Sequence, residues 1–118
     1  MLSKMMLAAV FALTAVAVPG VASSADAAAA KALWKRNDCN KCHAKSRDKK
    51  GPSLKKMSKE LKETAAKEKK DTEALAIEQM TKGIKVKMLT DGKEEDHKVI
   101  DTKDEAEMKN LAAWILSH

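Results

Sequence analysis

Cys39-Asn40-Lys41-Cys42-His43 is the one stretch of the 118-residue chain where thiols and an imidazole crowd together. Four chemistries use such residues. A disulfide across two intervening residues closes a small, strained ring and removes little loop entropy. A thioredoxin-like redox pair needs a βαβ setting, and no strand pattern flanks these cysteines. Zinc asks for four good ligands, and the chain offers Cys39, Cys42, His43 and one of two distant histidines. The spacing C-x-x-C-H is the attachment signal for a c-type haem. Two thiols add to the two vinyl groups of one porphyrin edge, and the next residue places its imidazole under the iron. Five residues alone are a weak signal, so the rest of the chain has to agree with them.

It does. Met5 to Val18 is one apolar run of fourteen residues, too short for a bilayer, which takes roughly 20. Lys4 precedes the run, Pro19-Gly20 ends it, and small residues lead to Ala25-Asp26-Ala27. A charged start, a short apolar stretch and an Ala-x-Ala site are the marks of a cleaved secretory leader. The expectation is a leader over 1–27 and a mature domain over 28–118, exported to the periplasm. The mature domain has two aromatic residues, Trp34 and Trp114, and nineteen large apolar side chains from Leu33 to Leu116. A domain of this size usually needs a disulfide, a metal or a cofactor to complete its core. Residues 28–70 carry a net charge of +10 and residues 71–118 a net −4. Export argues against nucleic acid as the partner of the basic half, and no amphipathic helix with large apolar anchors argues for a membrane.

The elements that must position the cysteines are expected to be helical throughout. Alanine-rich 27–37 reads as a first helix bearing Leu33 and Trp34. Polar 37–52, ending in Gly51-Pro52, reads as a loop. Leu54, Met57 and Leu61 recur at helical spacing, followed by a lysine-rich connector over 65–70. Asp71-Thr72 can cap a helix with Leu75, Ile77 and Met80 that stops at Gly83. Residues 84–100 read as irregular, with a turn at Asp91-Gly92. Thr102-Lys103-Asp104-Glu105 has the form of a capping box opening a last helix with Met108, Leu111, Trp114 and Ile115 on one face.

With Leu33-Trp34, Cys39-Asn40-Lys41-Cys42-His43, Gly51-Pro52-Ser53-Leu54 and Leu111-Ala112-Ala113-Trp114-Ile115-Leu116-Ser117 in this order, the chain resembles the small class I cytochromes c of bacteria. The resemblance implies an all-α fold wrapped around one covalent haem c, held by Cys39 and Cys42, with His43 as axial ligand to iron. It implies that the first and last helices cross, so that Leu33 or Trp34 meets Leu111, Trp114 or Ile115, and that Trp34 and Trp114 pack near the haem. It implies that the Pro52 carbonyl takes the second ring nitrogen of His43. A sixth ligand is implied on the loop before the last helix. His97 lies seventeen residues before Trp114, the spacing the resemblance implies, whereas Met88 lies twenty-six before it; His97 is the choice and Met88 the alternative. Met57, Met80 and Met108 fall on helical stripes and read as core, and His118 as a frayed terminus.

The function implied is one-electron transfer by a periplasmic monomer, not an enzyme, because both axial positions are filled. Lys41, Lys45, Arg47, Lys49 and Lys50, followed by Lys55, Lys56 and Lys59, would form a rim for redox partners with acidic docking surfaces. Two other readings are a haem subunit of a larger redox complex, and a gas-binding or peroxidase-type protein with a labile sixth site.

Overall fold

The computed structural model describes residues 25–118, so the expected leader lies outside the described residues apart from its last three. Helix α1 (Ala27–Arg36) is built largely of alanine, the residue that costs least in a helix. Asp26 caps it by accepting the Ala29 N–H at 3.1 Å. The Asp26 N–H donates to Asn110 Oδ1 at 2.8 Å, and Asn110 Nδ2 donates to the Asp26 carbonyl at 2.9 Å. The fold therefore uses Asp26, a residue assigned above to the leader.

After α1 the chain turns through Asp38 in the left-handed region, φ 57°, into the single turn α2 (Cys39–Cys42). Helix α3 (Leu54–Glu68) starts where the Ser53 hydroxyl accepts the Lys56 N–H at 3.1 Å. It runs through most of the segment read as a connector. Its inner stripe of Leu54, Ser58, Leu61 and Ala65 is buried; two members are small, so apolar spacing alone shows only half of it. Ser58 Oγ donates to the Leu116 carbonyl at 3.2 Å, which draws α3 against the last helix. Helix α4 (Thr72–Thr81) is capped by Asp71 as the sequence predicts.

Residues 84–100 are more regular than expected. Strands β1 (Lys85–Lys87) and β2 (Glu94–Asp96) form an antiparallel hairpin, pairing Lys85 with Asp96, Val86 with Glu95 and Lys87 with Glu94. Cross-strand charge pairing, with Lys85 Nζ 3.0 Å from Asp96 Oδ1, stands in for the apolar alternation that normally marks strands. The fold remains dominated by its helices. Helix α5 (Glu105–Leu116) is capped by Asp104 and not by Thr102. The Asp104 carboxylate accepts the N–H groups of Ala106 and Glu107 at 2.9 and 3.3 Å, where a negative charge is favoured. Thr102 Oγ1 accepts the Asp104 N–H instead.

The core sits where α1 crosses α5, with α3 and α4 closing the other sides. Trp34 meets Trp114 edge to face, ring centres 5.6 Å apart at 66°, a favoured aromatic geometry. Leu33, Leu61, Leu75, Leu111 and Ile115 fill the rest. Among the described residues no helix is long and apolar enough to cross a membrane. Leu111 is 0% exposed, so Leu111→Ala should lower the unfolding free energy by about 2–5 kcal/mol. Leu89, 49% exposed, should tolerate alanine within about 0.5 kcal/mol. Equal denaturant midpoints for the two variants would remove the helix crossing as the centre of the core.

Candidate functional site

The α2 turn presents both thiols on one side and hands directly to His43, whose backbone is extended (φ −125°, ψ 126°). Both cysteines are free and half-buried. Burial pushes the Cys39 thiol up from its ordinary pKa, while Lys98 pulls it back. His43 Nδ1–H donates to the Pro52 carbonyl at 2.6 Å, as the resemblance implies, leaving Nε2 as the nitrogen with a lone pair to give. Burial lowers the His43 pKa, with the Pro52 bond opposing it, so the ring is held in the neutral form a metal requires.

The loop from His43 to Ser53 is closed by its own backbone. The Gly51 N–H reaches the Cys42 carbonyl at 2.9 Å and the Leu54 N–H reaches the Ala44 carbonyl at 2.8 Å. Asp48 Oδ1 accepts the Ser53 N–H at 2.9 Å. Gly51 does more than break the chain direction. A Cβ there would fall 2.5 Å from His43 Cε1 and 2.9 Å from Nδ1, so the imidazole lies flat against a position that admits no side chain. The sequence marks Gly51 as a breaker and gives no sign of this second use.

Opposite His43 stands His97, just after β2. Its backbone N–H donates to the Ile84 carbonyl at 2.8 Å, and its Nδ1–H donates to the Lys98 carbonyl at 2.9 Å. The two imidazole centres are 6.2 Å apart, tilted by 36°. A cavity of about 380 Å³ adjoins both rings, lined by Trp34, Cys39, Cys42, Met57, Leu61, Met80, Met88 and Ile115 among others. A second hollow of about 250 Å³ shares His43, Pro52, Met57, Leu61 and His97 and extends towards Glu60 and Thr64. Two thiols at one rim, a histidine with a free Nε2 and walls of Leu, Ile, Met and Trp fit a flat, largely apolar macrocycle.

Not every expected residue stands where the sequence puts it. Trp34 lines the cavity, 5.7 Å from the His43 ring, but Trp114 stands behind Trp34 and lines neither hollow. Met57 and Met80, expected in the core, also face the cavity, while Met108 packs on the core. Met88 lines the cavity too. His118 is not frayed: its Nδ1–H donates to the Trp114 carbonyl at 2.8 Å and its ring meets Trp114 edge-on at 4.7 Å. Of the expected lysine rim, Lys41 and Lys50 reach the cavity, joined by Lys87 and Lys98. The hairpin and the segment that follows it bring these last two from far along the chain.

The family model for cytochrome c matches residues 27–118, beginning on the first residue of α1. Among solved structures the chain is similar to the class 1 cytochrome MtoD from Sideroxydans lithotrophicus ES-1. The two share 42% sequence identity over 79% of this chain and 96% of that one, with a TM-score of 0.68. No curated protein matches the chain.

Because the His43 ring lies against Gly51, Gly51→Ala should force the ring to move. The expected cost is about 1–3 kcal/mol, typical of overpacking, together with a weakened axial field in the ferric absorption spectrum. A wild-type unfolding midpoint and spectrum would show that the ring does not depend on that close approach.

Proposed function

This chain belongs to the cytochrome c family and carries one covalent haem c, and from that premise we propose that it is an exported, periplasmic one-electron carrier in which His43 and His97 are the two axial ligands. The observation that carries this reading is the matched pair of imidazoles. Each ring gives its Nδ1–H to a backbone carbonyl, the arrangement that fixes tautomer and orientation in metal-bound histidines and leaves Nε2 to the metal. Imidazole nitrogens bind first-row metals at about 2.0 Å, and each ring centre lies about 1.1 Å behind its nitrogen. Two such ligands on opposite faces of one iron therefore have centres about 6.2 Å apart, the separation found here.

The haem supplies a one-electron iron couple when bound. The chain's own residues set the conditions for it. Trp34, Met57, Leu61, Met80 and Ile115 exclude water from its faces. Filled axial positions leave no place for substrate, which favours a carrier over an enzyme. Imidazole is a stronger donor than a thioether and favours the ferric state, so the potential should lie below that of relatives with methionine as sixth ligand. Lys41, Lys50, Lys87 and Lys98 line the cavity beside the two cysteines, interleaved with Asp38, Glu95 and Asp96, and Lys41 and Lys98 both pair with Asp38, at 3.4 and 3.6 Å. This lysine collar, through Lys50 and Lys87 above all, suits acidic redox partners and acts chiefly on the association rate. The apolar run and Ala-x-Ala pattern of the first twenty-seven residues support export. Met88, which also lines the cavity, is the second reading for the sixth ligand.

Two measurements test the proposal. His97→Ala should give a high-spin, carbon-monoxide-reactive haem, Met88→Leu should leave the spectrum unchanged, and the near-infrared sulfur-to-iron band should be absent. If the band appears and Met88→Leu abolishes it, Met88 is the ligand. Lys50→Glu with Lys87→Glu should slow reduction by an acidic redox protein about tenfold or more at low salt, and far more than Lys103→Glu with Lys109→Glu. The difference should fade as ionic strength passes 0.1 M, where screening acts within about 10 Å; equal effects of the two pairs would leave the collar with no docking role.

A further inference from the structure

Three polar residues are buried in the described chain: Asn37, Ser53 and Ser58. Ser53 caps α3 and Ser58 ties α3 to α5, each through a single side-chain bond. Asn37, 2% exposed, does something different. Its Nδ2 donates to the Leu33 carbonyl at 3.0 Å and to Asp101 Oδ1 at 3.1 Å. Its Oδ1 accepts the Asp101 backbone N–H at 2.9 Å. One side chain thus joins the end of α1 to a residue sixty-four positions away. Arg36 reinforces the join, its Nε and Nη2 each donating to the Asp101 carboxylate at 3.2 Å.

The two ends of that join carry the two imidazoles. Asn37 lies two residues before Cys39 and six before His43, and Asp101 lies four residues after His97. Residues 97–101 are tied to α4 and its exit by two backbone bonds, His97 N–H to the Ile84 carbonyl and Ile100 N–H to the Met80 carbonyl. Towards the segment bearing Cys39 and His43 they have the Asn37 bonds, the Arg36 fork and the ion pair of Lys98 with Asp38 at 3.6 Å. The charged contacts are half-exposed, and such pairs hold geometry weakly. The Asn37 side chain is itself buried, its bond to Leu33 fully and its two bonds to Asp101 in part, so breaking them leaves a buried amide without partners.

We infer that Asn37 is a positioning residue for the sixth ligand: through Asp101 it fixes the distance between the His43 and His97 segments, and so keeps His97 in reach of the iron. This rests on the reading of His97 as axial ligand. Asn37 touches neither imidazole in any hydrogen bond, so its effect is on where the His97 segment lies relative to the cysteine turn. Loss of the join should leave the covalent side intact and loosen the opposite side alone.

The test uses the haem-loaded protein and reads ligand exchange as well as stability. Asn37→Leu removes all three side-chain bonds at similar volume, and Asp101→Ala removes the carboxylate acceptor at an exposed position, where truncation costs less. Ser58→Ala is the control, a buried polar residue with no hydrogen bond to Asn37 or Asp101. Carbon monoxide must displace the sixth ligand of the ferrous protein, so its binding rate should rise tenfold or more in Asn37→Leu and severalfold in Asp101→Ala. Ser58→Ala should lower the unfolding midpoint and leave that rate unchanged. If Asn37→Leu does not fold, Asp101→Ala carries the comparison. Wild-type binding rates in the foldable Asn37 and Asp101 variants, alongside a high-spin His97→Ala, would overturn the inference and leave the ligand reading standing. An unchanged spectrum in His97→Ala would overturn the ligand reading, and this inference with it.

Discussion

The hydrogen bond from His43 Nδ1 to the Pro52 carbonyl, 2.6 Å long, decides which nitrogen of the imidazole is free. Everything near the cysteines is arranged around it. Pro52 has no N–H of its own to satisfy, and its carbonyl is aimed by the closed loop from Ala44 to Leu54. Gly51 vacates the space the ring needs. Ser53, the next residue, starts α3, so the helix is anchored by the same turn that orients the ligand. Moving Pro52 would disturb ring, loop and helix together, which is why a single backbone carbonyl has such reach here.

The body of the domain is thin. Two tryptophans are the only aromatics in 25–118, and the helices that meet at the core turn much of their apolar surface towards the cavity rather than towards each other. Met57, Met80, Leu61 and Ile115 serve as cavity wall. A macrocycle with large apolar faces completes a core that the side chains leave open, in keeping with the size limit on small domains. Stability and function thus draw on the same surface. The charge division has a spatial meaning as well. The acidic strand β2 pairs with lysines of β1, and at the cavity lysines from four separate segments meet Asp38 and the Glu95 and Asp96 of β2.

How much of this was legible in the sequence follows from the range of the interactions concerned. The C-x-x-C-H motif, Pro52, the α1 and α5 pairing and the Asp71 cap are short-range or patterned signals, and all stand as read. The hairpin leaves little trace in the sequence because each strand is three residues long and β2 is charged throughout, so hydrophobic periodicity has almost nothing to report. Helix α3 ran past its expected end because Ser58 and Ala65 are inner-face residues that no hydropathy pattern flags. Asp104 displaced Thr102 as cap because two competent residues stood within one turn and only geometry chooses between them. Trp114 stands one layer farther from the cavity than the resemblance implies, behind Trp34. Gly51 against His43, Lys87 and Lys98 at the mouth and the bonding of Asn37 to Asp101 all depend on residues far apart in sequence or on close approach in space, and one sequence carries no mark of either.

The pairing of α1 with α5 also imposes an order in time. The core joins residues near the start of the described chain to residues 105–116, so it cannot close until the last helix has been synthesised, and contacts of this sequence separation form slowly. Cys39 and Cys42 emerge some seventy residues earlier. Until then their thiols are free of the burial that raises the pKa of Cys39 in the fold, so the enclosure of the cysteines waits on the last helix of the chain.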